Sequence, residues 1–147
     1  VFTTSAEAEE SGYYMLNSRG GREYFGAGDA RFADNGDKVI DDADRTVIGN
    51  PNPDIYGNIF TSLNWKHFTL SAVMNYSLGN DIYNYQRALL EGGSLFINQT
   101  TAMNQRWTTE GQHTVIPRVS YGDPMGNSRF SDRWIEDGSY LRLKTVT

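Results

Sequence analysis

The stretch from Ile55 to Leu78, IYGNIFTSLNWKHFTLSAVMNYSL, alternates in polarity with a period of two on both sides of the dipeptide Lys66-His67. In the first half Ile55, Gly57, Ile59, Thr61, Leu63 and Trp65 share one side, and Tyr56, Asn58, Phe60, Ser62 and Asn64 the other. In the second half Phe68, Leu70, Ala72, Met74, Tyr76 and Leu78 are all apolar, whereas Thr69, Ser71, Val73, Asn75 and Ser77 are small and mostly polar. Successive side chains of a strand point to opposite faces, so this pattern predicts two antiparallel strands, each with one apolar and one wet face. Neither strand carries a charge between its ends. Such a hairpin suits half of a soluble β-sandwich, or the wall of a membrane barrel with lipid outside and water inside.

Length separates the two. At roughly 3.3 Å per residue each eleven-residue half extends about 36 Å. A tilt of ~40° reduces the climb to about 28 Å, close to the ~25 Å apolar band of an outer-membrane barrel. Strands of soluble proteins more often run about 5–6 residues. Tyr56 and Tyr76 lie near one end of the hairpin, and Trp65 and Phe68 at the other, where half-buried rings favour a headgroup boundary. A two-residue turn at one rim and long stretches at the other is the usual barrel asymmetry.

Composition bounds the rest. Fifteen glycines and nine tyrosines among 147 residues point to strands and turns rather than a helix bundle. A net charge of −5 without a basic cluster argues against a nucleic-acid partner. The absence of cysteine excludes disulfides and thiolate metal sites. No apolar run approaches the ~18 residues of a membrane helix, which a β-barrel would not show in any case. The chain begins at Val1 and stops at Thr147 within a strand pattern. Three strands cannot close a barrel, so the expectation is a segment of a longer polypeptide.

Four regions follow. Residues 1–54 read as an external loop region, with one short helical turn capped at Thr4 or Ser5 and an acidic, Asx-rich turn. Residues 55–78 are the transmembrane hairpin. Residues 79–139 read as a second long loop with short helices, one on the spacing Ile82, Tyr85, Gln86, Leu89 and one over about 100–107. Residues 140–147 start the next strand, with Leu141 and Leu143 on one face and Arg142 and Lys144 on the other. Val146 then falls on the wet face, which calls for a bulge or the strand's end there.

The acidic turn, ADNGDKVIDDAD from Ala33 to Asp44, has the form of a calcium loop in which alternate oxygens wrap a hard cation. Aligned on Ile40, the ligand positions fall on Asn35, Asp37, Asp41 and Asp44, with Val39 offering its carbonyl. Ala33 stands at the first ligand position unless Asp34 shifts in, and Lys38 replaces the turn glycine. A solvated turn that satisfies its own backbone is the other reading. Enzymatic candidates are weak: His67 and His113 lack a partnered carboxylate, and Glu110, Asp123, Asp132, Glu136 and Asp137 are only potential members of a glycosidase pair. The expectation is that the chain is not an enzyme. Trp107, Tyr121 and Trp134 are candidates for stacking on substrate or on a partner, or for packing a long loop onto itself.

Several ordered motifs extend through the chain: AGDARFADNGDKVIDDADRTVIGNPNPDIYGN from Ala27 to Asn58, LGNDIYN from Leu78 to Asn84, NQRW from Asn104 to Trp107, and the terminal SDRWIEDGSYLRLKTVT. Together they resemble the SusC/RagA family of TonB-dependent outer-membrane transporters of Bacteroidetes. The family pattern reads GD-x-x-x-x-D-x-NGDG-x-I-D-x-x-D-x-x-x-IG-x-PNPD, and here one residue is missing before Asn35 and Lys38 stands where glycine is common. The resemblance implies an all-β fold: a segment from the C-terminal half of a 22-stranded antiparallel transmembrane β-barrel, with long extracellular loops carrying short helices. It also implies an importer of oligosaccharides or peptides, coupled to TonB through upstream parts and capped by a SusD-like surface lipoprotein. Calcium is the one cofactor that the acidic turn suggests, and the lipid bilayer is the medium for the hairpin. The alternative is a soluble cell-surface β-sandwich that binds glycan and carries a calcium loop.

Overall fold

The computed structural model describes residues 1–147. In chain order it contains α1 (Ser5–Ser11), β1 (Tyr14–Leu16), β2 (Arg22–Tyr24), β3 (Ile55–Trp65), β4 (Phe68–Leu78), β5 (Asp81–Tyr83), α2 (Tyr85–Glu91), β6 (Ile135–Asp137) and β7 (Tyr140–Val146). Three 3-10 turns lie at Asp42–Asp44, Thr101–Gln105 and Asp132–Trp134. Regular structure is thus mostly strand, and no helix is long and apolar enough to cross a membrane. Two compact units form: Val1–Thr46 with Tyr85–Phe130, and Val47–Asn84 with Ser131–Thr147.

The second unit is built on the hairpin. β3 and β4 pair antiparallel along their full lengths, from Ile55 opposite Leu78 to Trp65 opposite Phe68. The turn between them is Lys66-His67, and Lys66 adopts a φ of 54°. Positive φ at the first central position lets a two-residue turn follow the strands' right-handed twist. β7 joins the other edge of β4, giving a three-stranded sheet ordered β3-β4-β7. Met74 pairs with Leu143 and Val73 with Thr145, so Lys144 is an extra residue at a bulge. The bulge reverses the alternation and places Val146 opposite Ala72, in the apolar row. The sheet does not close into a barrel; its outer strands β3 and β7 have open edges.

A smaller ladder, β5 with β6, lies beside the end of β4. Here the structure departs from the helical spacing read over Ile82 to Leu89. Ile82 pairs with Glu136 in this ladder, and the helix starts only at Tyr85. Nor does Asp81 cap a helix: its carboxylate accepts from the Asn50 N–H at 2.8 Å, closing the segment that enters β3. Periodicity could not distinguish a strand this short from a first helical turn.

The first unit has its own core of Phe2, Ala8, Phe25, Ile40 and Met125, with Tyr13, Met15 and Phe32 packed against it. The rings meet edge-on or tilted, Phe2 with Tyr13 at 6.3 Å and Phe25 with Phe32 at 6.0 Å between centroids. α1 is capped by the Thr4 hydroxyl, which accepts from the Glu7 N–H at 3.2 Å, and ends at Gly12 in the left-handed region, φ 66°. Residues 14–24, read as Gly-rich loop, instead form the β1–β2 hairpin, closed by Asn17, whose side chain accepts from Arg19 and Gly21 N–H groups. Three-residue strands leave too short an alternation to read.

Candidate functional site

Register in the three-stranded sheet aligns the apolar side chains of all three strands. Ile59 faces Met74 and then Leu143; Leu63 faces Leu70; Thr61 faces Ala72 and then Val146; Trp65 faces Phe68. One face therefore carries Ile55, Ile59, Leu63, Trp65, Phe68, Leu70, Ala72, Met74, Tyr76, Leu141, Leu143 and Val146. The opposite face carries Asn58, Ser62, Asn64, Thr69, Ser71, Asn75, Ser77, Arg142 and Thr145, with Tyr56, Phe60 and Val73 among them. Gly57 lies opposite Tyr76, and the phenol covers it: a Cβ added at Gly57 would lie 2.9 Å from the Tyr76 hydroxyl. That cross-strand cover keeps the row continuous where one side chain is lacking.

No second sheet of this chain covers the apolar row. Phe68 is 74% exposed, Leu141 67%, and Leu63 and Trp65 65% each. Exposed apolar surface of this extent is a contact surface, for lipid or for protein. At the hairpin's turn the Lys66 ammonium stands 5.1 Å from the Trp65 ring centroid, a cation above a rim aromatic. Charges on the sheet are confined to Arg142 on the polar face and Lys144 at the bulge.

In the acidic turn the structure brings together the carboxylates of Asp34, Asp37 and Asp44, with ligand oxygens within 4.8 Å of one another. Asp34 is the residue that alignment on Ile40 left out, and Asp41 is outside the group. Most of these oxygens already serve the loop. Asp34 accepts from the Lys38 N–H, Asn35 from the Asp37 N–H and Asp37 from the Val39 N–H. Asp44 accepts from both Asn35 and Asp41, and the Asp41 carboxylate caps Ala43. Lys38, at φ 67°, supplies the left-handed residue that glycine provides elsewhere. Ile40 is buried and its N–H donates to the Tyr14 carbonyl, pinning the loop to the core. The donor set is all oxygen and fits a hard cation in kind, since each carboxylate keeps lone pairs beyond those given to the backbone.

The three aromatic candidates part ways. Trp134 is fully buried, with the Arg133 guanidinium 4.2 Å above its ring, so it packs its loop and offers no face to a sugar. Trp107 is half-buried; its Nε1–H donates to the Thr3 carbonyl and its ring packs on Gly28, which adopts φ 84°. Only Tyr121 presents an open ring, stacked on exposed Phe96 at 4.7 Å and 22°.

Three of the five acidic side chains nominated for catalysis, Glu110, Asp123 and Asp137, act as backbone acceptors. Asp123 accepts from the Asn127 and Ser128 N–H groups, and Glu110 from the Ser5 N–H. Bonds from Ser5 hold the Glu110 carboxyl below its ordinary range, and bonds from Ser139 do the same for Asp137. A glycosidase acid needs the opposite displacement. One polar constellation had no signal of its own in the sequence. Asp29 is fully buried and accepts from Arg118 Nε at 2.7 Å, Arg118 Nη2 at 2.9 Å, Asn127 Nδ2 at 2.9 Å and the Gly26 N–H at 2.9 Å. It ties residues nearly a hundred positions apart into the first unit.

No family model matches the chain. Curated relatives do. TonB-dependent receptor P3 of Formosa agariphila is 36% identical over 117 residues, 79% of this chain and 11% of that protein. The similarity is to TonB-dependent receptors. TonB-dependent receptor P26 of the same organism is 30% identical over 132 residues, 89% of this chain and 13% of the relative. TonB-dependent receptor P39 is 28% identical over 123 residues, 81% of this chain and 12% of its own length. The chain thus spans about a tenth of the length of the relatives it matches, and the match extends over both compact units.

Proposed function

We propose that this chain is part of a TonB-dependent outer-membrane importer of the SusC/RagA type, contributing a stretch of barrel wall and the external loops beside it. The observation that carries this reading is the uncovered apolar row on β3, β4 and β7, backed by a polar face, with β3 and β4 eleven residues long. Similarity to TonB-dependent receptors over most of the chain supports the same assignment. In this reading the row faces hydrocarbon and the Asn and Ser row faces the lumen. Lys66-His67 is a periplasmic turn, and the first unit is folded extracellular loop. Oligosaccharides or peptides are the cargo, a SusD-like lipoprotein caps the barrel, and TonB acts through other parts of the polypeptide. The chain's role is transport, without catalysis.

The test is assembly of the full-length importer. Arg at Met74, near the middle of β4, costs about 2–4 kcal/mol and at Leu70, nearer the rim, less, whereas on the lumen face a charge is tolerated. Leu70→Arg and Met74→Arg should therefore reduce the heat-resistant barrel in outer-membrane fractions, and Ser71→Arg and Asn75→Arg should not. Equal tolerance of both pairs would contradict the assignment. In the acidic turn we assign calcium as the cation that Asp34, Asp37 and Asp44 would hold, in the millimolar range typical of extracellular modules. A calorimetric titration that Asp44→Ala leaves unchanged would reduce the loop to a self-satisfied turn.

A further inference from the structure

A hollow of about 530 Å³ in the first unit is lined by Gln99, Arg106, Trp107, Thr108, Arg118 and Val119. It is a groove open to solvent over much of its extent, with room for part of an oligosaccharide and not for an engulfed ligand. The chain carries a net charge of −5, yet both ionised residues of the lining are arginines. Arg118 gives Nε and Nη2 to buried Asp29, its side chain is 39% exposed, and its Nη1 has no protein acceptor. Arg106 has no carboxylate within ion-pair reach; its Nη1 donates to the Met103 carbonyl at 3.1 Å, which fixes the side chain and leaves its charge unpaired.

The rim is held in place. Gln112 Oε1 accepts from the Thr108 N–H at 2.8 Å and hydroxyl at 3.1 Å, and its Nε2 donates to the Arg106 carbonyl at 3.1 Å. Trp107 is clamped between Gly28 and the Thr3 carbonyl. A site whose donors are already ordered binds without the cost of ordering them.

Resting on the importer reading above, we propose that this hollow selects acidic oligosaccharides. An anionic group on the sugar would meet Arg106 and Nη1 of Arg118, whose planar forks match carboxylate and sulfate oxygens alike. The half-buried Trp107 indole lines the hollow as its apolar wall, and Thr108 and Gln99 suit sugar hydroxyls. One aromatic and two neutral hydrogen-bonding side chains beside the cations match a hydroxylated ring that bears a single acid.

The experiment is calorimetry on the full-length importer in detergent, with tetragalacturonate, a sulfated carrageenan tetrasaccharide and neutral maltotetraose. At least one acidic probe should bind about tenfold more tightly than maltotetraose. That preference should weaken as salt is raised. Arg106→Gln should abolish it, while Arg106→Lys, which keeps charge but loses the fork, should retain part of it. The two acidic probes separate carboxylate from sulfate as the preferred group. No preference for either acidic probe, or a preference that survives Arg106→Gln, overturns the proposal. A heat-resistant barrel band in the same preparations separates this outcome from failure of the importer reading itself.

Discussion

Replacing Asp29 with alanine removes a fully buried anion of the first unit and leaves four donors without their acceptor. Breaking a buried pair by deleting one partner costs about 3–5 kcal/mol. Arg118 is 39% exposed and can turn its charge toward water, which favours the lower end. Asn127 is buried and cannot, and an orphaned buried amide adds about 1–3 kcal/mol that overlaps with the first loss. The expected destabilisation is about 3 kcal/mol, or roughly hundredfold in a local opening equilibrium. The amides that report it are known: Phe2 N–H bonds the Asp29 carbonyl, Gly28 N–H the Phe2 carbonyl, and Arg118 N–H the Gly28 carbonyl. Hydrogen exchange on the full-length protein should accelerate about hundredfold at these three, with β3–β4 amides unchanged, because opening of a local unit is read by its own amides. Asp29→Asn preserves volume and one acceptor and should lose about half as much free energy. Acceleration below about threefold at all three amides would refute the claim that Asp29 staples the unit.

Two further outcomes follow from the same geometry. Trp134→Ala empties a fully buried site and should cost about 3–5 kcal/mol, read as faster exchange across β5 and β6. Glu7 accepts from the Thr3 N–H at 2.7 Å and hydroxyl at 2.9 Å, and these bonds lower its carboxyl pKa. A depressed folded pKa means that the stabilisation is complete above the ordinary glutamate value of about 4.3 and fades as pH falls through the lower folded value. α1 protection, normalised for intrinsic exchange, should fall across that window in the native chain and stay flat in Glu7→Gln.

What was legible in the sequence was whatever long alternation could encode. β3 and β4 keep a two-residue period over eleven residues each, so their bounds, turn and faces could be read directly. The position of Val146 on the wrong face signalled a bulge or the strand's end, and the register shows the bulge, at Lys144. The three-residue strands β1, β2, β5 and β6 offered no period to read, and Ile82 was misassigned to a helix for that reason. The Asp29, Arg118 and Asn127 cluster was hidden for a different reason: its members sit 89 and 98 positions apart, and only the fold makes them neighbours. Alignment on Ile40 put Ala33 at the first ligand position and admitted Asp34 only by a shift; the observed turn makes that shift, with the Asp34 carboxylate accepting from the Lys38 N–H. Residue type left Trp134 open to stacking on a ligand or to packing its loop, and only the fold, which turns it inward, decides for packing.

The central claim concerns the medium around one row of side chains, and collision spectroscopy measures that medium directly. This stretch has no cysteine of its own, so single cysteines for nitroxide labelling can be introduced at Leu70, Met74 and Leu143, and at Ser71 and Asn75, in the full-length protein reconstituted in bilayers, with any cysteine elsewhere in it replaced by serine. Labels at the first three positions should collide far more with dissolved oxygen than with a water-soluble nickel chelate, and labels at the last two should show the reverse. Low collision with both reagents at Leu70, Met74 and Leu143 would mean that protein, and not lipid, covers the row.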